Sequence, residues 1–204
     1  MSVTRVLAAG AAVVAVFAVP GCSSSHPAPA AAPSSTTSSR SSANSSSAAT
    51  DPAREATAQA VALIPTYLRI IDDLYADPSR SLDDLYQVAA APEATTEATA
   101  IGTFRAQGYR QAGQSQLVTT SATKVDLTNN PAATPSPVVP SVVVTACVDV
   151  SQVQATDSAG NSVVAPDRPK YLVEQLTVVN MNYPNAASWR VSQAPNRQAR
   201  SCDG

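Results

Sequence analysis

The sequence is poor in the residues on which much enzyme and nucleic-acid chemistry depends. Its 204 residues include one histidine (His26), one tryptophan, two phenylalanines and three cysteines. Lys and Arg together number 13 and form no basic run, so we expect no nucleic-acid partner, because phosphate binding needs clustered cations. A chain without histidine after position 26 also lacks the commonest general base at neutral pH.

Sequence motifs for catalysis and cofactor binding are absent as well. There is no Gly-rich phosphate loop, no Gly-x-Ser-x-Gly turn and no Cys-x-x-Cys pair. A zinc site would need more Cys or His ligands than the chain supplies. We therefore expect no cofactor and no metal.

The first 22 residues have the pattern of an export signal. Arg5 precedes an apolar stretch, residues 6–19, that is too short to span a bilayer, and Val19-Pro20-Gly21-Cys22 follows. This tetrapeptide resembles the bacterial lipobox, with Pro20 where Ala or Ser is usual. We expect residues 1–21 to be a lipoprotein signal peptide and Cys22 to carry acyl chains such as palmitate. The alternative is a secretory signal cut after Ala30 or Ala32.

Lipidation at Cys22 would place the mature protein outside the cytoplasm, on the outer face of the cell membrane. Two acyl chains give stable anchoring where one chain binds only reversibly. Residues 23–50 are almost entirely Ser, Ala, Thr and Pro. Such a segment cannot bury enough apolar surface to offset the entropy of ordering, so residues 22–50 are predicted to be a lipidated, disordered tether.

Residues 51–204 have the aliphatic content of one globular domain, and helical spacing dominates its first half. Asp51-Pro52 predicts the start of a long helix, with a break or kink near Pro65 and an end at Asp77-Pro78. Ser81 with Asp84 resembles a capping box for a second, short helix. A third helix should begin at Pro92 and end at Gly108.

After Gly108 the apolar period changes from helical to two. Alternation predicts strands over residues 116–127, around 142–150, over 171–183 and around Trp189, separated by loops that include residues 129–140. Helices followed by about four antiparallel strands predict an α+β fold, with the helices packed on one face of a curved sheet. The predicted core contains Leu63, Tyr67, Ile71 and Leu74 from the first helix, and Val142, Val144, Val148, Leu176 and Val178 from the sheet.

Short phrases in this domain carry a family resemblance. They are Leu74-Tyr75-Ala76-Asp77-Pro78-Ser79, Ala146-Cys147-Val148-Asp149-Val150-Ser151, Ala165-Pro166-Asp167-Arg168-Pro169 and Cys202-Asp203-Gly204. With the element order, they resemble small secreted lipoproteins of actinobacteria that carry a nuclear transport factor 2-like (cystatin-like cone) domain. The resemblance implies a cone-shaped sheet, and it says little about activity.

With Cys22 lipidated, Cys147 and Cys202 remain as a pair. Outside the cytoplasm such a pair is most simply a disulfide, and the alternatives are two free thiols or a metal site. Cys147 should lie on the sheet face opposite the helices. A tail held there would obstruct the face through which many domains of this fold pair, so we expect a monomer.

Candidate catalytic residues in the domain are few. Asp72 and Asp73 are adjacent on a helix and point in different directions, so we interpret them as part of a solvated face. We interpret Asp149 as an outer-face carboxylate paired with an arginine such as Arg190, although a role as a pocket base is the alternative. The tyrosines Tyr67, Tyr75, Tyr86 and Tyr109 are typical of a core or its rim.

The sequence is consistent with two functions that belong to different classes of protein, a binding protein and an enzyme. The favoured one is a non-catalytic, membrane-anchored envelope protein that binds an apolar small molecule or another envelope protein. The alternative is a small hydratase- or isomerase-like enzyme that uses an Asp and a Tyr inside the cone. The absence of histidine from the domain favours the first, and no catalytic residue is assigned.

The anchor can be tested by Cys22→Ser. Because the thiol is the acylation site, the variant should be released into the medium or accumulate as an uncleaved precursor. Cell fractionation and the mass of the mature N-terminus measure both outcomes. A variant that is processed and retained in the membrane like the parent would contradict lipidation.

Overall fold

Helices come first along the chain and strands follow. The structure, a computed structural model, describes residues 51–203. The predicted signal peptide, Cys22 and tether therefore lie outside the described residues. Helix α1 spans Pro52–Ala76, a first 3₁₀ helix spans Leu82–Gln87, and helix α2 spans Glu93–Ala106. Within residues 51–203, none of the helices combines the length and apolar content of a membrane-spanning segment.

Within residues 51–203, seven strands form two antiparallel sheets. The strands are β1 (Arg110–Ala112), β2 (Gln116–Asp126), β3 (Ser141–Asp149), β4 (Gln154–Thr156), β5 (Tyr171–Asn180), β6 (Trp189–Gln193) and β7 (Asn196–Ala199). Strands β2, β3, β5 and β6 are hydrogen-bonded in that order, β7 also pairs with β5, and β1 with β4 forms a separate small sheet. The α+β class is thus confirmed.

The main sheet has five strands, whereas about four were predicted. The additional strand is present because β6 and β7 pair with different parts of the same edge of β5. Strand β6 pairs with residues 177–180 and β7 pairs with residues 171–174. Ala194 and Pro195 lie between them, and proline supplies no backbone N–H for the ladder. The predicted strand around Trp189 is therefore followed by a second short strand, β7, which alternation did not predict.

Helix α1 starts as predicted but does not break. The Asp51 side chain accepts a hydrogen bond from the Ala53 amide at 3.0 Å, and Pro52 occupies the first turn. Of the predicted break or kink near Pro65, the break is wrong, since the helix continues to Ala76. Pro65 is exposed, so the carbonyl that loses its amide partner lies toward solvent, where water can bind it.

The two remaining helical predictions have different outcomes. The segment after Ser81 is a 3₁₀ helix, and Ser81 Oγ accepts from the Asp83 amide at 3.2 Å. The capping box with Asp84 is wrong, because that carboxylate binds Arg80 at 3.0 Å. Helix α2 begins directly after Pro92, and Gly108 follows its end with φ +73°, a conformation that favours glycine.

The core lies between α1, α2 and the inner face of the sheet. All five predicted sheet residues are buried there, and so are Tyr67 and Leu74. Leu63 and Ile71 are only half-buried, and the fully buried Ile64 takes the central position. The apolar stripe of α1 is wide, so its period could not determine which edge faces the sheet. The other buried residues of α1 are Ala56, Ala60, Leu68, Ile70 and Asp72.

A disulfide joins Cys147 and Cys202, as predicted. Cys147 alternates with the buried Val148 on β3, so it lies on the outer face of the sheet. Strand β5 separates β3 from β7, and the residues after β7 must cross β5 to reach Cys147. The bond spans a sequence separation of 55 residues, for which chain entropy predicts a stabilisation of about 4 kcal/mol.

Leu74→Ala tests the packing of α1. Leu74 is 0% exposed, so truncation should lower the free energy of unfolding by about 2–5 kcal/mol through lost burial and a residual cavity. Chemical denaturation of residues 51–204 measures it. Leu63→Ala is the control and should cost less, because Leu63 is half-buried. Equal costs for the two variants would contradict the helix orientation described above.

Candidate functional site

A groove runs between α1, the first 3₁₀ helix and the start of β6. Its volume is about 450 Å³, within the range of small-molecule sites. Small and apolar side chains make up most of its lining, and the charged residues of the lining are both arginines. The lining consists of Gln59, Ala62, Leu63, Thr66, Arg69, Ile70, Gln87, Val88, Ala186, Ala187, Trp189 and Arg190.

Trp189 connects the two walls of this groove. Its indole Nε1 donates a hydrogen bond to Gln59 Oε1 at 2.8 Å, across 130 positions of sequence. The ring is 2% exposed, so it forms part of the wall rather than projecting from it. Because Gln59 belongs to α1 and Trp189 to β6, this bond sets the width of the groove at one end.

Arg190 is held in position by backbone carbonyls. Its Nε donates to Tyr86 O at 3.1 Å, and its Nη1 donates to Ala187 O at 2.8 Å and to Trp189 O at 2.7 Å. Within residues 51–203, its Nη2 has no hydrogen-bond partner and no carboxylate forms an ion pair with it. The result is a fixed guanidinium whose positive charge no described carboxylate neutralises.

Arg69 supplies the second positive charge of the groove. Its Nη1 lies 3.1 Å from Asp73 Oδ2, and its side chain is 55% exposed. Asp73 also binds Arg80 at 2.7 Å, so Arg69 shares that carboxylate. An exposed, shared pair of this kind is weak and leaves Arg69 able to reorient. The groove is therefore positive at two points along an apolar wall.

A second group of polar residues lies in the core, beneath α2. Tyr67 Oη donates to Glu93 Oε1 at 2.9 Å, and the Ala194 amide donates to Glu93 Oε2 at 3.0 Å. Tyr67 is 2% exposed and Glu93 is 6% exposed. Burial, with the neighbouring Glu93 carboxylate, raises the pKa of Tyr67, so its phenol stays protonated and remains a donor.

Glu174 completes this acidic cluster, which consists of Asp72, Glu93, Glu97 and Glu174. It projects from the inner face of β5 and is 8% exposed, and its Oε2 has no hydrogen-bond partner among residues 51–203. Desolvation, together with the smaller effects of the charges of Glu93, Glu97 and Asp72, raises the pKa of Glu174 to about 7. At neutral pH this carboxyl group is therefore partly protonated.

The two candidate aspartates on α1 occupy different environments. Asp73 lies on the helix surface between two arginines. Our interpretation of Asp72 as solvated is wrong, because it is 6% exposed and accepts from Ser115 N at 2.8 Å, Ser115 Oγ at 2.6 Å and Gln111 Nε2 at 2.8 Å. Gln111 lies on β1 of the small sheet and Ser115 directly precedes β2, so Asp72 ties α1 to the segment that joins the two sheets.

The predicted pairing of Asp149 with Arg190 is also wrong. Asp149 accepts from the Ser151 amide at 2.7 Å, and this hydrogen bonding lowers the pKa of its carboxyl group. Arg190 instead lies at the groove, on the strand next to β5.

The four tyrosines have separate structural environments. Tyr67 lies in the core, Tyr86 is 52% exposed, and Tyr75 and Tyr109 pack edge-on against Phe104. Tyr67 meets the acidic cluster through its hydrogen bond to Glu93.

Sequence reasoning missed Glu93 and Glu174. Glu174 had a readable signal, since it interrupts the alternating apolar positions 172, 176 and 178 of β5. Glu93 follows Pro92 in a helical first turn, where an acidic residue is ordinary and predicts nothing more. Within residues 51–203, no group of His, Cys, Asp or Glu side chains is placed to hold a metal ion.

Comparison with known proteins adds no argument about function. No protein-family model matches the chain, and no curated protein matches it. Among solved structures, the intermembrane space region of chloroplast protein ARC6 is similar over 72% of this chain and 97% of that one, with 12% identity and a TM-score of 0.46. The resemblance to actinobacterial lipoproteins with a nuclear transport factor 2-like domain stays a prediction.

Tyr67→Phe tests the buried pair. The change removes the donor to Glu93 Oε1 and leaves a buried carboxylate oxygen unpaired, which should lower the free energy of unfolding by about 1–3 kcal/mol. Tyr86→Phe is the control, since that side chain is 52% exposed and its loss of a hydroxyl should cost almost nothing. Denaturation midpoints that are equal for the two variants would contradict the role of the bond.

Proposed function

We propose that the protein is a non-catalytic, membrane-anchored envelope lipoprotein whose domain binds a lipid-like ligand. The ligand class is an acyl chain that carries an acidic head group. The observation that supports this most directly is the groove, in which a fixed guanidinium without a carboxylate partner lies beside an apolar wall.

The two parts of the ligand correspond to two parts of the groove. Leu63 and the exposed Ala62 and Ala187 offer apolar surface to an acyl chain, whose transfer from water is favourable. Ile70 and Val88 lie buried behind this surface. Arg190 offers its Nη2 to an anionic oxygen, and hydrogen bonds between charged groups are about twice as strong as neutral ones. Arg69 can add a second, weaker attraction from the exposed side.

The remaining parts of the proposal come from the sequence. Lipidated Cys22 would hold the domain at the outer face of the membrane, and residues 23–50 would let it reach an average of about 30 Å from its anchor. We propose that the domain acts as a monomer, because the tail fastened to Cys147 crosses the outer sheet face.

The hydratase- or isomerase-like alternative stays a prediction. Its chemistry would require an Asp and a Tyr in the cone to contact a substrate, and the buried residues of these types, Asp72 and Tyr67, are 6% and 2% exposed. The groove lining contains no carboxylate that could act as a base. We therefore propose binding rather than catalysis.

Trp189 allows a direct test, because it is the only tryptophan in the chain and lies in the groove wall. Residues 51–204 would be titrated with three probes of equal chain length below their micelle concentrations: laurate, monolaurin and dodecyltrimethylammonium. Tryptophan emission should respond to laurate at the lowest concentration and to the cationic probe least. Arg190→Gln should weaken laurate binding about tenfold, as expected for one lost charge-assisted hydrogen bond.

Two further variants make the result specific to the groove. Arg190→Lys should recover part of the affinity for laurate, because it keeps the charge and loses the planar fork. Arg197→Gln removes an exposed arginine on β7, outside the groove lining, and should change nothing. Equal affinity for the three probes, or an equal loss in the Arg190 and Arg197 variants, would contradict the proposed ligand class.

A further inference from the structure

The acidic cluster beneath α2 has a feature that its structural role does not explain. Tyr67 and Ala194 satisfy both oxygens of Glu93, but the buried Glu174 Oε2 has no hydrogen-bond partner in the part of the chain that the structure describes. A buried polar atom left unpaired is destabilising, and a buried charge left unpaired is much more so. A ligand that binds the Glu174 carboxyl group would offset this cost.

The surroundings of Glu174 narrow the choice of ligand. The charged groups that act on it are carboxylates: Glu93 and Glu97 on α2 and Asp72 on α1. Its partners across the sheet are Ala146 on β3 and Asn196 on β7, neither of which is charged. The nearby Tyr67 phenol is neutral and already donates to Glu93.

A metal ion and an organic cation both fit poorly here. No metal-binding group is present among residues 51–203, and Glu174 is only 8% exposed. A proton needs no cavity, neutralises the carboxylate where it lies, and removes the repulsion from Glu93 and Glu97. The ligand that suits this position is therefore a proton taken from solvent.

We propose that Glu174 makes the packing of helix α2 on the sheet responsive to pH. When α2 is closed over the sheet, Glu174 holds a proton and faces Glu93 as a neutral group. When the proton is lost to solvent, the Glu174 carboxylate is repelled by Glu93 and Glu97, both of which belong to α2. The N-terminal part of α2 and the β6–β7 turn at Ala194 then open together, because Glu93 joins them.

The direction of the pH effect follows from linkage. In the open form the Glu174 carboxyl is hydrated and has an ordinary pKa near 4.5, whereas in the closed form its pKa is about 7. Between these values the closed form binds more protons, so raising the pH favours opening. The opening constant should rise by up to tenfold per pH unit in this window and level off above it, which amounts to roughly seventyfold between pH 5 and pH 8.

Hydrogen exchange of residues 51–204 measures this opening. After correction for intrinsic exchange rates, amides of α2 should open roughly seventyfold more often at pH 8 than at pH 5. Amides at the centre of β3 should show a smaller change. In Glu174→Gln the pH dependence of α2 should disappear, and in Glu55→Gln, an exposed carboxyl on α1, it should remain.

A measurement on the unmodified domain covers the case in which Glu174→Gln does not fold. The side-chain carboxyl carbon of Glu174, assigned by through-bond NMR, should titrate near pH 7 with the same midpoint as α2 opening. A midpoint near 4.5 would overturn the proposal. So would α2 protection that is independent of pH, or a pH dependence that Glu174→Gln retains.

Discussion

The carboxylate of Glu93 is the contact on which the arrangement of this domain depends most. It accepts from the phenol of Tyr67 on α1 and from the amide of Ala194 between β6 and β7, while its own backbone starts α2. Three elements that are distant in sequence are thereby joined at one buried group. A buried carboxylate persists only when its oxygens are satisfied, so each of the three elements constrains the other two.

The groove is a consequence of the same arrangement. Because α1 is placed by Tyr67, its buried stripe faces the sheet, and the half-buried Leu63 lines the groove with the exposed Ala62 and Thr66. Trp189 and Arg190 reach the opposite wall because β6 follows the 3₁₀ helix at Ala186–Ser188 and pairs with the far end of β5. Core and groove therefore use neighbouring faces of one helix.

The acidic cluster and the groove also differ in charge, which suits the separate roles proposed for them. The groove is lined by two arginines and the cluster contains four carboxylates, three of which are buried. An anion in the groove would be attracted from solvent, whereas the cluster can exchange only a proton without opening. In both places an apolar setting strengthens the electrostatic effect, because a low dielectric leaves charges less screened.

Local pattern was sufficient to predict the α+β class, the helix starts at Asp51 and Pro92, the inner face of the sheet and the pairing of Cys147 with Cys202. These depend on short-range periodicity, on capping chemistry and on there being two cysteines in the domain. What only the tertiary structure decided was the orientation of α1, the division of the β6–β7 edge, the burial of Asp72 and the meeting of Glu93, Tyr67 and Glu174. The physical reason is that the local sequence around a carboxylate on a helix or a strand predicts a solvated side chain. Its hydrogen-bond donors come from distant elements, and only the packing of those elements brings the donors to it.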